Sequence, residues 1–240
     1  MKQGIITEIA KDFSSGCRNN KMLARLYKKM AAGKATYLDA DQYALEMARV
    51  LGATLQKHLG TDTISVAEYR EIISSVLPEG LYGIHESVAT YAQTIQNGIN
   101  RRTGLSIKAV KAQFEPSKAT EIVSKALTAK TFPEVESVVN VATMNFAQNV
   151  ATKTMKDNAQ LCEDLGYEVT VDRTYDDVGV HNRKDVCEWC LAREGHWTNA
   201  EAKANGVFER HPGCGCEIIY NTATGSQRQT NWQNNQWENI

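Results

Sequence analysis

The chain lacks the short signatures that mark common enzymes. It has no GxSxG elbow, no Walker loop, no HExxH and no dinucleotide fingerprint. No nucleophile–base set emerges, so neither an enzymatic role nor a small-molecule substrate is expected. It also lacks any apolar run approaching the length of a bilayer span, which predicts no membrane partner. Charge of one sign is missing too. A formal net charge of −1 excludes a strongly basic nucleic-acid arm and an acidic solvating tail, though not a local basic patch. The opening residues MKQGIITEIAKDFSSG carry no signal-peptide h-region. The expectation is a chain in the cytoplasm, where thiols stay reduced. No internal repeat is visible.

What is present is helix after helix. With 240 residues, 42% of them hydrophobic, the chain is long enough for one large domain or two small ones, and its core needs no disulfides. Met22, Leu23, Leu26, Tyr27 and Met30 recur at helical spacing, with Gly33 as a stop. Ala44, Leu45, Ala48, Leu51, Leu55 and Leu59 line the next helix, which Gly60 ends. Ser65 to Glu68 has the form of a capping box, and Pro78-Glu-Gly80 is expected to break the helix it opens. A longer helix then carries Leu81, Ile84, Val88, Tyr91, Ala92, Ile95 and Ile99, with Arg101 and Arg102 at its C-terminus. Two short helices are expected to flank Pro116. Thr131 to Glu134 opens a last long helix through Val135, Val139, Phe146 and Val150 toward Leu161.

The pattern changes at Gly166. Residues 167–174 alternate like a half-buried strand, and 216–220 read as a second. Asp176-Asp177 in a DDVG turn read as solvated turn formers. The fold class expected is mainly α. A helical body occupies 1–132, and a small C-terminal α+β cysteine-rich module occupies 133–220. The polar remainder, 221–240, bears Trp232 and Trp237 and cannot fold alone.

Four of the six cysteines fall in 187–216, CEWCLAREGHWTNAEAKANGVFERHPGCGC. Cys187 and Cys190 form a CxxC, whose turn places both sulfurs on one side. His211 and Cys214 repeat the gap, Pro212-Gly213 suit a tight turn, and Cys214 and Cys216 share a face if extended. Cys187, Cys190, His211, Cys214 and Cys216 are thus five candidate ligands for a metal that usually takes four, and soft S/N donors favour a structural zinc. A disulfide pairing Cys187 or Cys190 with Cys214 or Cys216 requires an oxidising setting. A redox centre requires a thioredoxin-like βαβ context that is not seen here. His181 and His196 flank the cluster as substitute ligands. Cys17 and Cys162 read as small buried residues on helices, and His58 and His85 sit on helices with no partner in view.

On these residues the C-terminal third resembles the head-morphogenesis domain of tailed phages, the Mu F-like minor head proteins. The likeness runs over about 135–220: a helix, the strand YEVTVDRT, CEWCLAREG with Gly195, then HPGCGCEIIY. Gly213 and Gly215 stand where that family usually has Asn and Arg, and Asn140-Val-Ala-Thr-Met stands where it often has Arg-Thr-Glu. The resemblance implies a virion structural protein that acts in head assembly, found in the phage head and, during assembly, in the host cytoplasm. Its implied partners are the portal protein and the major capsid protein, with packaged DNA as a further contact. A zinc-dependent nucleic-acid-binding protein is the alternative. It would use Arg173, Arg183, Lys184, Arg193, Lys203 and Arg210 on phosphates and Trp189 or Trp197 on bases. A carried hydrolase domain has little room in this chain.

Overall fold

Capping boxes and apolar stripes build most of the architecture. The computed structural model describes residues 2–60, 64–129, 131–175, 187–211 and 214–222. Six helices come first: α1 (Lys2–Asn19), α2 (Lys21–Ala31), α3 (Tyr37–Leu59), α4 (Val66–Arg102), α5 (Pro116–Thr128) and α6 (Phe132–Asp164). Then follow β1 (Val169–Thr174), a single-turn α7 (Glu188–Leu191), β2 (Gly195–Thr198), α8 (Asn199–Ala204) and β3 (Glu217–Thr222). The mainly helical body with a small sheet near the C-terminus, and the cysteines clustered beside it, is the class expected.

Ser65 caps α4 and Thr131 caps α6, each with its glutamate three residues on reaching back to the cap backbone. Thr36–Asp39 and Thr198–Glu201 do the same for α3 and α8. Pro78 does not end its helix. α4 runs through it for 37 residues. The lost bond is tolerable because Ser74, whose carbonyl would have received it, is exposed to water, while Ile73, Leu77, Leu81 and Ile84 keep one buried stripe running past the proline. Tertiary packing outweighs a penalty of about 3 kcal/mol.

The segment before Pro116 is also not a helix. Residues 105–115 lie extended, and side-chain amides on α4 and α6 take up their backbone groups. Asn158 holds both polar groups of Val110, donating to its carbonyl and accepting from its N–H, each at 2.9 Å. Asn97 accepts from Ala109 N–H and Gln93 donates to its carbonyl, both at 2.8 Å. Asn100 donates to the Ile107 carbonyl at 2.8 Å. A part-buried extended segment needs such partners, and these amides supply what a neighbouring strand otherwise would. Only α5, beyond the proline, matches the helix pair expected there.

α6 is the central packing element. It lies against α3, α4 and α5 and also touches β1, β3 and α8. One continuous core therefore runs from Ile9 on α1 to Tyr220 on β3. α3 approaches its neighbours closely: a Cβ on Gly52 would collide with the Asn140 carboxamide, and one on Gly80 would meet Leu51 at 3.0 Å.

The sheet is antiparallel in the order β2-β1-β3. Val171 faces Trp197 on one side and Tyr220 on the other, and Arg173 faces Gly195 and Ile218. β2 has no counterpart in the sequence reading, because GHWT is too short and too exposed to show a period. β3 extends to Thr222, so two residues assigned to the polar tail belong to the sheet. Asp176, Asp177, His181, Arg183, Lys184, Pro212, Gly213, Trp232 and Trp237 lie outside the described residues. No helix among those described is long and apolar enough to cross a membrane.

Candidate metal centre

The CxxC folds as expected from its spacing. Cys190 and Leu191 N–H groups both donate to the Cys187 carbonyl at 3.0 Å, making the single turn α7 and turning both sulfurs to one side. Cys214 N–H closes a second turn on the His211 carbonyl, also at 3.0 Å. The two turns face each other. His211 Nε2 lies 3.2 Å from Cys187 Sγ and 2.9 Å from Cys190 Sγ, and Cys190 Sγ lies 3.9 Å from Cys214 Sγ. All five candidate ligands thus meet, as two overlapping triads: Cys187, Cys190 and His211, and Cys190, Cys214 and Cys216. Within each triad the donor atoms lie within 4.8 Å of one another.

These residues could hold a metal ion. Tetrahedral donors around one ion stand about 3.8 Å apart for two sulfurs and about 3.6 Å for sulfur and nitrogen. The Cys190–Cys214 separation already matches, and the histidine has to retreat by about half an ångström. The six cysteines are free thiols, and the 3.9 Å sulfur separation is well beyond a disulfide bond of about 2.05 Å.

The cluster is enclosed. Cys190, Cys214 and Cys216 are 2%, 1% and 2% exposed, with Tyr175, Cys187 and Trp189 packed around them. Tyr175 Oη accepts from Cys187 N–H at 3.1 Å. Trp189 meets His211 edge-on, with ring centroids 5.2 Å apart, and Arg193 covers the indole at 3.8 Å. The buried thiols differ in acidity. Burial pushes Cys190 up to about 11, and Cys214 is held up to about 12 by its hydrogen bond with Cys216 and by burial. Cys216 is lowered to about 7, first by that hydrogen bond and then by the charge of Arg173. The group titrates as a unit.

Two buried arginines frame the site. Arg173, on the inward face of β1, directs Nη2 at Cys214 Sγ (3.4 Å) and Cys190 Sγ (3.8 Å). Arg210 donates through Nη2 to Asp41 on α3 (2.6 Å), through Nε to Thr152 on α6 (2.9 Å) and through Nη1 to the Cys216 carbonyl (2.9 Å). It clamps the cysteine loop to the helical body. Burial opposes its charge, but Asp41 and the thiols of Cys214 and Cys216 outweigh that and keep it protonated. A cavity of about 130 Å³ beside the clamp is lined by Asp41, Thr152, Cys214 and Cys216 among others.

Not every candidate joins the cluster. His196 sits exposed on β2, with Nδ1 2.6 Å from Asp172 Oδ1. His58 bonds Asp12, and His85 lies against Glu86 and Phe114. Burial pushes the Cys17 thiol up to about 11 and raises that of Cys162. Asp41 and Tyr175 went unnoticed in the sequence. A lone aspartate on a helix, 169 residues before its partner, leaves no local signal.

Compared with known protein families, with curated proteins and with solved structures, the chain matches none of them.

Proposed function

We propose that the cluster is a structural zinc site, and that the chain is a phage minor head protein of the Mu F-like kind, working through protein contacts at the portal and capsid shell. One observation carries the reading. The segments that bear the resemblance meet as a single unit: the long helix α6, the strand β1, the CxxC turn, the HxxCxC turn and the closing strand β3. Soft sulfur and imidazole donors in a buried, closed arrangement suit zinc in a stapling role rather than a catalytic one, which keeps a position open to water. The staple ties the CxxC and HxxCxC turns together beside the three-stranded sheet, and the Arg210 clamp joins them to the helical body.

The nucleic-acid alternative finds less support. Four of the basic residues it would use are already engaged. Arg173 and Arg210 are buried, Lys203 pairs with Glu163, and Arg193 lies over Trp189. Trp197 is half-buried with its indole N–H given to the Arg193 carbonyl.

The test is to express the chain with portal and capsid proteins and measure both association and metal. About one zinc per chain, together with co-purification on the portal ring or shell, is expected. A chain that ignores both assemblies would refute the head-protein role. A metal-free protein with oxidised cluster thiols would refute the zinc.

A further inference from the structure

Arg173 ends the inward stripe of β1, after Val169 and Val171, and is 1% exposed. A guanidinium keeps its charge at any pH a protein meets, and burying it is strongly unfavourable unless an opposite charge lies beside it. Among the described residues no carboxylate pairs with Arg173. Its Nη1 donates to the Val207 and Glu209 carbonyls at 2.6 and 2.8 Å, and its Nε has no partner among the described residues. The Trp189 ring stands 5.1 Å away. Nη2 points at sulfur, at Cys214 and Cys190. Within the described structure, the sulfurs are the anions on offer.

We propose that Arg173 is the counter-ion of an anionic metal–thiolate centre whose ligands are Cys187, Cys190, His211 and one of Cys214 and Cys216. The inference rests on the zinc reading above and deepens it. Three thiolates and a neutral imidazole around a divalent ion leave one net negative charge, which Arg173 balances. A fourth thiolate in place of the histidine leaves a second negative charge. Arg210, the other buried guanidinium at the site, is already committed to Asp41. Neutral thiols or a disulfide leave Arg173 with nothing to face. The N–H donors of Arg173 reach Cys190 and Cys214, as donors do to metal-bound sulfur, while Cys214 and Cys216 both lie within 4.8 Å of Cys190, so either can supply the fourth ligand. Arg173 is a positioning residue, and the same side chain pins the 207–209 backbone that leads into His211.

The experiment uses the full, reduced chain, titrated with zinc against a colorimetric chelator and separately with cobalt(II), whose sulfur-to-metal absorption grows with each Co–S bond. Arg173→Met is expected to weaken zinc binding about 10- to 100-fold, with Arg173→Lys recovering most of the loss. Wild type is expected to show absorption for three Co–S bonds, and one of Cys214→Ser and Cys216→Ser, but not both, for two. Unchanged affinity in Arg173→Met overturns the counter-ion role and leaves the zinc site standing. Four Co–S bonds in wild type, or a loss in Cys216→Ser equal to that in Cys214→Ser, overturns the ligand set. A wild-type chain that takes up no zinc overturns the zinc reading and this inference with it. Should Arg173→Met fail to fold, Arg173→Gln and the two serine variants still decide the matter.

Discussion

Replacing Arg210 with leucine removes the clamp between the cysteine loop and the helical body. Three donors vanish together, those to Asp41, Thr152 and the Cys216 carbonyl. The guanidinium is 4% exposed and the Asp41 carboxylate 17%, so water screens the pair poorly. Removing one member of such a pair is expected to cost about 3–5 kcal/mol, mostly because Asp41 is left charged and stranded. The double variant Arg210→Leu, Asp41→Leu strands nothing. Its cost should fall well short of the sum of the single variants, with a coupling of about 2–3 kcal/mol. The pH dependence adds a second check. Burial already raises Asp41 above its ordinary value of 3.8, and Arg210 only partly opposes this. Without Arg210 the folded-state value climbs further. A carboxyl group raised in the folded state destabilises the fold while it is ionised in both states, and that penalty fades as pH falls through the folded value. The deficit of Arg210→Leu is therefore largest at about pH 8 and shrinks toward about pH 4. Urea unfolding followed by circular dichroism at both ends of this range measures it. A deficit below about 1 kcal/mol, or one that grows on acidification, would refute the clamp.

Further outcomes follow from other contacts. Asn158→Leu leaves both polar groups of Val110 without their partner and should cost about 2–4 kcal/mol, with faster amide exchange across 105–112; unchanged exchange would show that water replaces the amide. Gly52→Ala drives a methyl group into Asn140 and should lower stability by about 1–3 kcal/mol in chemical denaturation, unless Asn140 can swing aside. Cys187→Ser, or chelation of the wild type, should make the sheet region protease-sensitive while most of the helical circular dichroism persists. Loss of the helical signal as well would mean that the cluster and the helices unfold as one unit. Glu163, which joins α6 to α8 through Asn199 and Lys203, is held below the usual carboxylate range first by the Asn199 hydrogen bond. Its contribution is present above the unfolded-state value and disappears as pH drops through the folded one, so the protection factors of the α8 amides should fall below about pH 4.

Local chemistry alone carried a good deal of this protein. The boxes at Ser65 and Thr131, the stripe from Leu81 to Ile99, the alternation in 167–174 and the two half-sites at 187–190 and 211–216 are short-range patterns, each written in neighbouring residues. A helix cap or a chelating turn needs only its own few residues to form. What the sequence could not settle were questions answered across long separations. Pro78 stays helical because the buried stripe around it finds α3 and α6, and residues 105–115 stay extended because amides from two other helices satisfy their backbone. Asp41, Arg173 and Arg210 meet the cysteines only once α3, β1 and the loop are folded together. Burial and counter-charge are properties of a place rather than of a residue, so the electrostatics of the cluster were decided by the tertiary structure alone.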